Sequence, residues 1–116
     1  MDWRHFWDER SKLKNDFVAS ARSTSTSEDI EALALDAAAA LQLTPNSRVL
    51  EIGCGPGLLT KALMSKAALW VASDYVPRFV ARVRGTPRLC ADMRRLPFRD
   101  GAFDRVLVSS VLQYIA

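Results

Sequence analysis

Val49-Leu50-Glu51-Ile52-Gly53-Cys54-Gly55-Pro56-Gly57 decides the fold. An apolar run carries one acid near its end and then breaks into three glycines at every second position. An apolar pattern resumes at once with Leu58, Leu59, Ala62 and Leu63. This order reads as strand, tight turn, helix. Glycine suits the turn because it reaches positive φ and lets a ligand approach the backbone closely. The first amides of the following helix then face whatever sits over the turn.

Outward from the turn the same alternation repeats. The first strand covers 48–52 and its helix runs from Leu58 to about Lys66. A second strand spans 69–73 and ends at Asp74-Tyr75; Pro77 suits the first turn of a helix over 77–84. Gly85-Thr86-Pro87 breaks that helix. A short third strand, 88–91, ends at Asp92. Arg94 to Phe98 form a connector, Asp100-Gly101 a turn, and a fourth strand spans 103–108, ending at Ser109-Ser110. Val111 to Ile115 begin another helix or loop. Strands alternating with helices imply a parallel sheet with right-handed crossovers. The expected class is α/β, a Rossmann-like parallel sheet with N-terminal helices.

Upstream, residues 2–22 have helical, amphipathic spacing through Trp3, Phe6, Trp7, Leu13 and Phe17. This aromatic-rich face covers the core or closes over a ligand. A Ser/Thr break at 23–27 precedes a second helix from Glu28 to Leu41 or Leu43. Its first turn is acidic (Glu28, Asp29, Glu31), but Ser27 with Ile30 makes no capping box. Thr44-Pro45-Asn46 ends it. The chain thus divides into an N-terminal helical segment, 1–46, and a Rossmann-like α/β segment, 47–116.

The 116 residues suffice for one domain. With 49% apolar and 25% charged residues the composition is that of a soluble globular protein. No run of 18 apolar residues is present, so no membrane span or membrane partner is expected. The N-terminus lacks the layout of a signal peptide. Cys54 and Cys90 have no metal-ligand spacing and read as reduced thiols of a cytoplasmic protein. His5 is the single histidine, which argues against a His-based metal site or a Ser-His-Asp triad. Residues 78–105 hold eight Arg against three Asp. Without interleaved aromatics these read as a solvated face, and nucleic acid is the disfavoured partner.

The strand ends carry the chemistry. Ligands of open parallel sheets bind beyond the carboxyl ends of the strands, at the switch point of the strand order. Glu51, the glycine turn, Asp74, Asp92 and Ser109 should therefore converge on one crevice. An acid about 20 residues beyond a glycine turn can accept from a ribose diol, and Asp74 lies 17 residues after Gly57. The glycines form G-x-G-x-G, with Leu58 where a dinucleotide fingerprint wants its last glycine. Acids on both sides repel phosphate but tolerate a cation. S-adenosylmethionine, with a sulfonium, an ammonium and no phosphate, fits this charge pattern; NAD fits it less well.

The sequence resembles the class I S-adenosylmethionine-dependent methyltransferases, above all the small-molecule, ubiquinone/menaquinone-biosynthesis-like branch. The resemblance rests on four blocks in family order: 49–57, VASDYVP at 71–77, CADMRRLPF at 90–98 and GAFDRVLVSSVLQYI at 101–115. It implies that Gly53, Gly55 and Gly57 let the cofactor's methionine portion lie against the backbone, and that Glu51 orders its ammonium end, often through water. Asp74 would bind the ribose hydroxyls, with Tyr75 beside the adenine. Asp92 would accept from the adenine amino group, the Met93 amide would meet a ring nitrogen, and the Ser109 backbone would face the methionine. Gln113 stands where relatives often carry histidine. No residue is identified as catalytic, since aligning a nucleophile with the sulfonium methyl can suffice.

The resemblance also implies a seven-stranded sheet, of which this chain supplies four in the order 3-2-1-4. Strand four is then a bare edge. The chain is expected to be a fragment, or to pair through that edge with itself or with a partner chain. The functions left open are an enzyme methylating a small molecule, a cofactor-binding module or partner subunit without turnover, and an NAD-dependent oxidoreductase. Leu58 and the Asp92-Met93 and LPF blocks speak against the last.

Overall fold

The computed structural model describes residues 2–16 and 26–108. In chain order the elements are α1 (Trp3–Arg10), α2 (Ser27–Leu41), β1 (Arg48–Ile52), α3 (Leu58–Leu63), a 3-10 turn (Met64–Lys66), β2 (Leu69–Asp74), α4 (Pro77–Val80), β3 (Arg88–Cys90) and β4 (Arg105–Val108). The four strands form one parallel sheet in the order β3-β2-β1-β4. β1 is central: Val49 sits beside Trp70 on β2 and Arg105 on β4, and Glu51 beside Ala72 and Leu107. The chain reverses its direction of travel across the sheet between β1 and β4, so the switch point lies at the end of β1.

Side-chain alternation assigns the two faces. Val49 and Trp70 face α2 and α3, where they pack with Ile30, Ala34, Leu59 and Leu63. Leu50, Ile52 and Val71 face the other way and are covered by the segment after β3 through Met93, Leu96, Phe98 and Phe103. Burial on both faces is what a parallel sheet requires. On β4, Leu107 joins the α2/α3 core while Val106 is 51% exposed. The edge expected for strand four is therefore present among the described residues.

Several boundaries differ from the sequence expectation. α1 stops at Arg10, and residues 11–15 are not helical; the rest of the helix expected to residue 22, from Phe17 on, lies outside the described residues. The Ser11 carbonyl, which a continuing helix would give to residue 15, accepts from Arg82 Nη2 at 2.9 Å. The α2 cap is Thr26, not Ser27. Thr26 Oγ1 accepts from the Asp29 amide while the Asp29 carboxylate accepts from the Thr26 amide, a reciprocal capping box. α4 is one turn long because the amides of Arg82 and Val83 bond three residues back, to Phe79 and Val80, and tighten the chain. β4 starts at Arg105, since Phe103 turns edge-on to Phe98 and the Asp104 carboxylate accepts from the Arg48 amide.

The turn between β1 and α3 needs its glycines. Gly53, Gly55 and Gly57 have φ of 78°, 55° and 94°. A methyl group on Gly57 would also stand 3.2 Å from Val83 Cγ2, whereas one on Gly55 meets nothing within 4 Å. Val83 is buried at 2% exposure and has little room to retreat. Gly57→Ala should therefore lose about 2–3 kcal/mol and Gly55→Ala about 1 kcal/mol, the left-handed strain alone. Urea unfolding measures both; equal losses would show that the Val83 contact is immaterial.

Candidate functional site

The end of β2 holds the glycine turn in place. The Ser73 carbonyl accepts from the amides of both Gly53 and Cys54 at 2.9 Å, and Ser73 Oγ donates to the Glu51 carbonyl at 2.8 Å. Asp74, next in line, receives the Gly55 amide on Oδ2 and the Val76 amide on Oδ1, each at 2.9 Å. It thereby ties the turn to the chain leaving β2. Burial pushes the Asp74 carboxyl above its usual range, against the pull of the Val76, Gly55 and Tyr75 amides. A carboxylate has about four acceptor directions. Two are taken here, leaving one on each oxygen, the number a ribose diol asks for.

Glu51 does not face the strand-end crevice. Two-residue alternation puts its side chain on the Val49 face, beneath α3, at 1% exposure. Its Oε1 accepts from Thr60 Oγ1 at 2.5 Å and from Trp70 Nε1 at 3.0 Å. It thus braces the turn from below, joining β1, α3 and β2. Neither Thr60 nor Trp70 was legible as its partner, because only the β1–β2 register and the helix position bring them together.

Burial raises the Glu51 carboxyl above its ordinary 4.5, outweighing the hydrogen bonds from Thr60 and Trp70, with the Asp74 charge adding to the rise. Between the unfolded and the raised folded value the native chain binds more protons. This contribution to stability is full below the unfolded pKa and is lost as pH rises through the folded one. Glu51→Gln keeps an acceptor for both donors and removes the titration. Its stability should fall less than that of the parent between pH ~4 and pH ~8. Urea midpoints across that range check this; parallel curves would contradict it.

Beyond β2 and β3 lies a cleft of about 690 Å³, bordered by Tyr75, Val76 and Pro77, by Cys90, Ala91 and Asp92, and by α1 through Asp2, Arg4, His5 and Asp8. The sites of small molecules and cofactors span about 300–1,000 Å³. Of the residues expected to bind, Tyr75 and Asp92 border this cleft; Asp74, next to Tyr75 at the end of β2, and the glycines at the end of β1 do not line it. Tyr75 is 45% exposed, and the Arg4 guanidinium lies 5.2 Å from its ring centre. Asp92 is bound by Arg94, whose guanidinium holds the carboxyl down at about 2. The signal for this pairing was the Asp92-x-Arg94 spacing just past a strand, where an Asx turn folds the arginine back. Met93 packs its side chain against the Leu50 face of the sheet. Ser109 and Gln113 lie outside the described residues.

Cys54, on the turn, is 7% exposed, and burial beside Asp74 and Glu51 pushes its thiol well above the usual range. It is not poised as a nucleophile. Among the described residues no group of His, Cys, Asp and Glu is arranged to hold a metal, and no helix is long and apolar enough to cross a membrane.

These features fit S-adenosylmethionine. Asp74 keeps two acceptor directions, Tyr75 offers a ring face, Asp92 a carboxylate, and the space over Gly55 is open to backbone contact. Comparison with known proteins agrees. Residues 50–116, more than half of the chain, match the methyltransferase domain family. The chain is 37% identical over 78 residues to a demethylmenaquinone methyltransferase of Mycolicibacterium vanbaalenii, covering 66% of this chain and 34% of the relative. A demethylmenaquinone methyltransferase of Corynebacterium urealyticum is 37% identical over 71 residues, 60% of this chain and 31% of its own length. The chain thus spans about a third of the length of these curated relatives. In fold it superposes on a Haemonchus contortus phosphoethanolamine N-methyltransferase bound to phosphoethanolamine and S-adenosylhomocysteine. That match has a TM-score of 0.81 at 21% identity, over 98% of this chain and 26% of the other. Magnesium protoporphyrin IX methyltransferase from Synechocystis, with bound S-adenosylhomocysteine, gives a TM-score of 0.59 at 18% identity, over 96% and 55%.

Proposed function

The chain belongs to the methyltransferase domain family, and on that footing we propose that it binds S-adenosylmethionine at the carboxyl ends of β1 to β3. In this reading it serves methyl transfer to a small molecule. The observation that carries the reading is Asp74: one carboxylate that anchors the Gly55 amide and still presents two acceptor directions beside the cleft. Asp74 then holds the ribose hydroxyls, Tyr75 packs on the adenine, Asp92 takes its amino group, and the Met93 amide meets the ring. Gly53, Gly55 and Gly57, with the Ser109 backbone, take the methionine portion. Glu51 acts on the ammonium end through the turn that it braces.

When bound, the cofactor supplies an electrophilic methyl on a sulfonium. This chain's residues fix its orientation, and alignment with an incoming nucleophile is the main requirement of the transfer. The acceptor class we favour is a menaquinone precursor, on the strength of the relatives' names and the 37% identity. Two free thiols favour the cytoplasm as the compartment. Methyl-labelled S-adenosylmethionine incubated with a short-chain demethylnaphthoquinol tests the activity. Label in the quinol supports an enzyme; tight S-adenosylhomocysteine binding without transfer to any of a panel of acceptors assigns the chain a binding role.

We propose that the outer edge of β4, which pairs with no strand among the described residues, takes up a second copy, a partner chain or further polypeptide; Val106 and Val108 are exposed on that strand. We expect the chain by itself to self-associate, so that its elution on size-exclusion chromatography shifts with concentration. A monomer at every concentration would exclude pairing between copies.

A further inference from the structure

Two flat cations of the chain itself already contact the recognition groups of the cleft, Arg4 at the Tyr75 ring and Arg94 at the Asp92 carboxylate. We infer that Arg94 and Arg4 occupy the place of the cofactor's base, and that binding requires them to withdraw; this rests on the reading of Tyr75 and Asp92 as the adenine site. The lone pairs of Asp92 make the case. Arg94 Nε donates to Oδ1 at 3.0 Å and to Oδ2 at 3.1 Å, Nη2 to Oδ2 at 2.6 Å, and the Arg94 amide to Oδ1 at 2.9 Å. Three N–H groups of Arg94 make these four contacts, the single Nε hydrogen being shared between the two oxygens, so both carboxylate oxygens are engaged by the arginine. An adenine amino group that approaches either oxygen meets a donor already in place and competes with the guanidinium for the plane of the carboxylate.

The second cation covers the second recognition surface. The Arg4 guanidinium, carried by α1, stands 5.2 Å from the centre of the Tyr75 ring. A guanidinium is planar, stacks on aromatic faces and donates in its own plane to carboxylates. Those are the two contacts an adenine would make here, one with its face and one with its amino edge. Arg4, Tyr75 and Asp92 all border the same cleft, and Arg94 reaches Asp92 from the loop that follows β3. The Arg94 side chain is 61% exposed. Release into water is therefore easy, and the pair acts as a weak competitor instead of a permanent block. α1 becomes part of the cofactor site through this contact and sets how readily the base enters.

Calorimetric titration of the full chain with adenosine and with S-adenosylhomocysteine tests the inference. A competitor that is in place roughly 70–90% of the time reduces apparent affinity about three- to tenfold. Arg94→Gln should therefore bind both ligands about three- to tenfold more tightly, and Arg4→Gln/Arg94→Gln more tightly still. Adenosine is uncharged, so salt acts on its binding mainly through the Arg94–Asp92 pair. Added salt should strengthen adenosine binding to the parent chain and leave Arg94→Gln unchanged. Weaker or equal binding by Arg94→Gln, while Asp92→Asn weakens binding, overturns the competition and keeps the adenine site. If Asp92→Asn matches the parent, the adenine site itself is misplaced and the inference falls with it. Binding that appears only in the double variant supports competition in its strongest form, and no binding in any variant overturns both readings.

Discussion

Glu51→Ala should cost about 3–5 kcal/mol of folding stability, the largest loss expected from a single change near the glycine turn. The carboxylate is closed off from solvent at 1% exposure, and so are its partners, Thr60 at 1% and Trp70 at 2%. Removing it strands the Thr60 hydroxyl and the Trp70 indole N–H, each a buried donor without an acceptor, at about 1–3 kcal/mol apiece. The missing carboxyl also leaves a gap between β1 and α3. Glu51→Gln keeps the acceptor oxygen and should stay within about 1 kcal/mol of the parent. Urea unfolding followed by circular dichroism gives both values. If the alanine variant loses no more than the glutamine one, the bonds to Thr60 and Trp70 do not brace the turn.

Asp74→Ala should weaken S-adenosylhomocysteine binding about 30-fold, or about 2 kcal/mol. Two ribose hydroxyls lose a charged acceptor, and the Gly55 amide loses the partner that holds the turn. Asp74→Asn retains one carbonyl acceptor and should fall between the two. The core beneath is untouched, because Ser73 still carries the Gly53 and Cys54 amides on its backbone carbonyl. Folding stability should therefore change far less than affinity. Unchanged affinity in calorimetry would remove Asp74 from the cofactor site.

The architecture was legible because it depends on local signals. Apolar five- and six-residue runs separated by Gly and Pro gave β1, β2 and their order, and the acids at the strand ends marked the working edge. Direction was harder. The parity of Val49 and Glu51 already puts both on one face, yet the position of Glu51 at a strand end suggested the crevice. Residues that act through distant partners stayed hidden: Trp70 meets Glu51 only through the sheet register, and Arg82 ends α1 from 71 residues away. Helix ends shifted where a side chain competed for a backbone group, as Thr26 and Asp29 show at α2. Asp92 was legible as a strand-end acid; the Asp92-x-Arg94 spacing signalled an Asx turn, but the guanidinium's grip on both carboxylate oxygens emerges only once that turn folds the arginine back.

The central claim is that the turn at Gly53–Gly57 and its acids form a site for S-adenosylmethionine and not for a dinucleotide. Titrating the purified chain with S-adenosylhomocysteine and, in parallel, with NAD tests this most directly. The account predicts saturable one-to-one binding of S-adenosylhomocysteine, weakened in Asp74→Ala, and no heat of binding with NAD. Saturable binding of NAD with none of S-adenosylhomocysteine would contradict it.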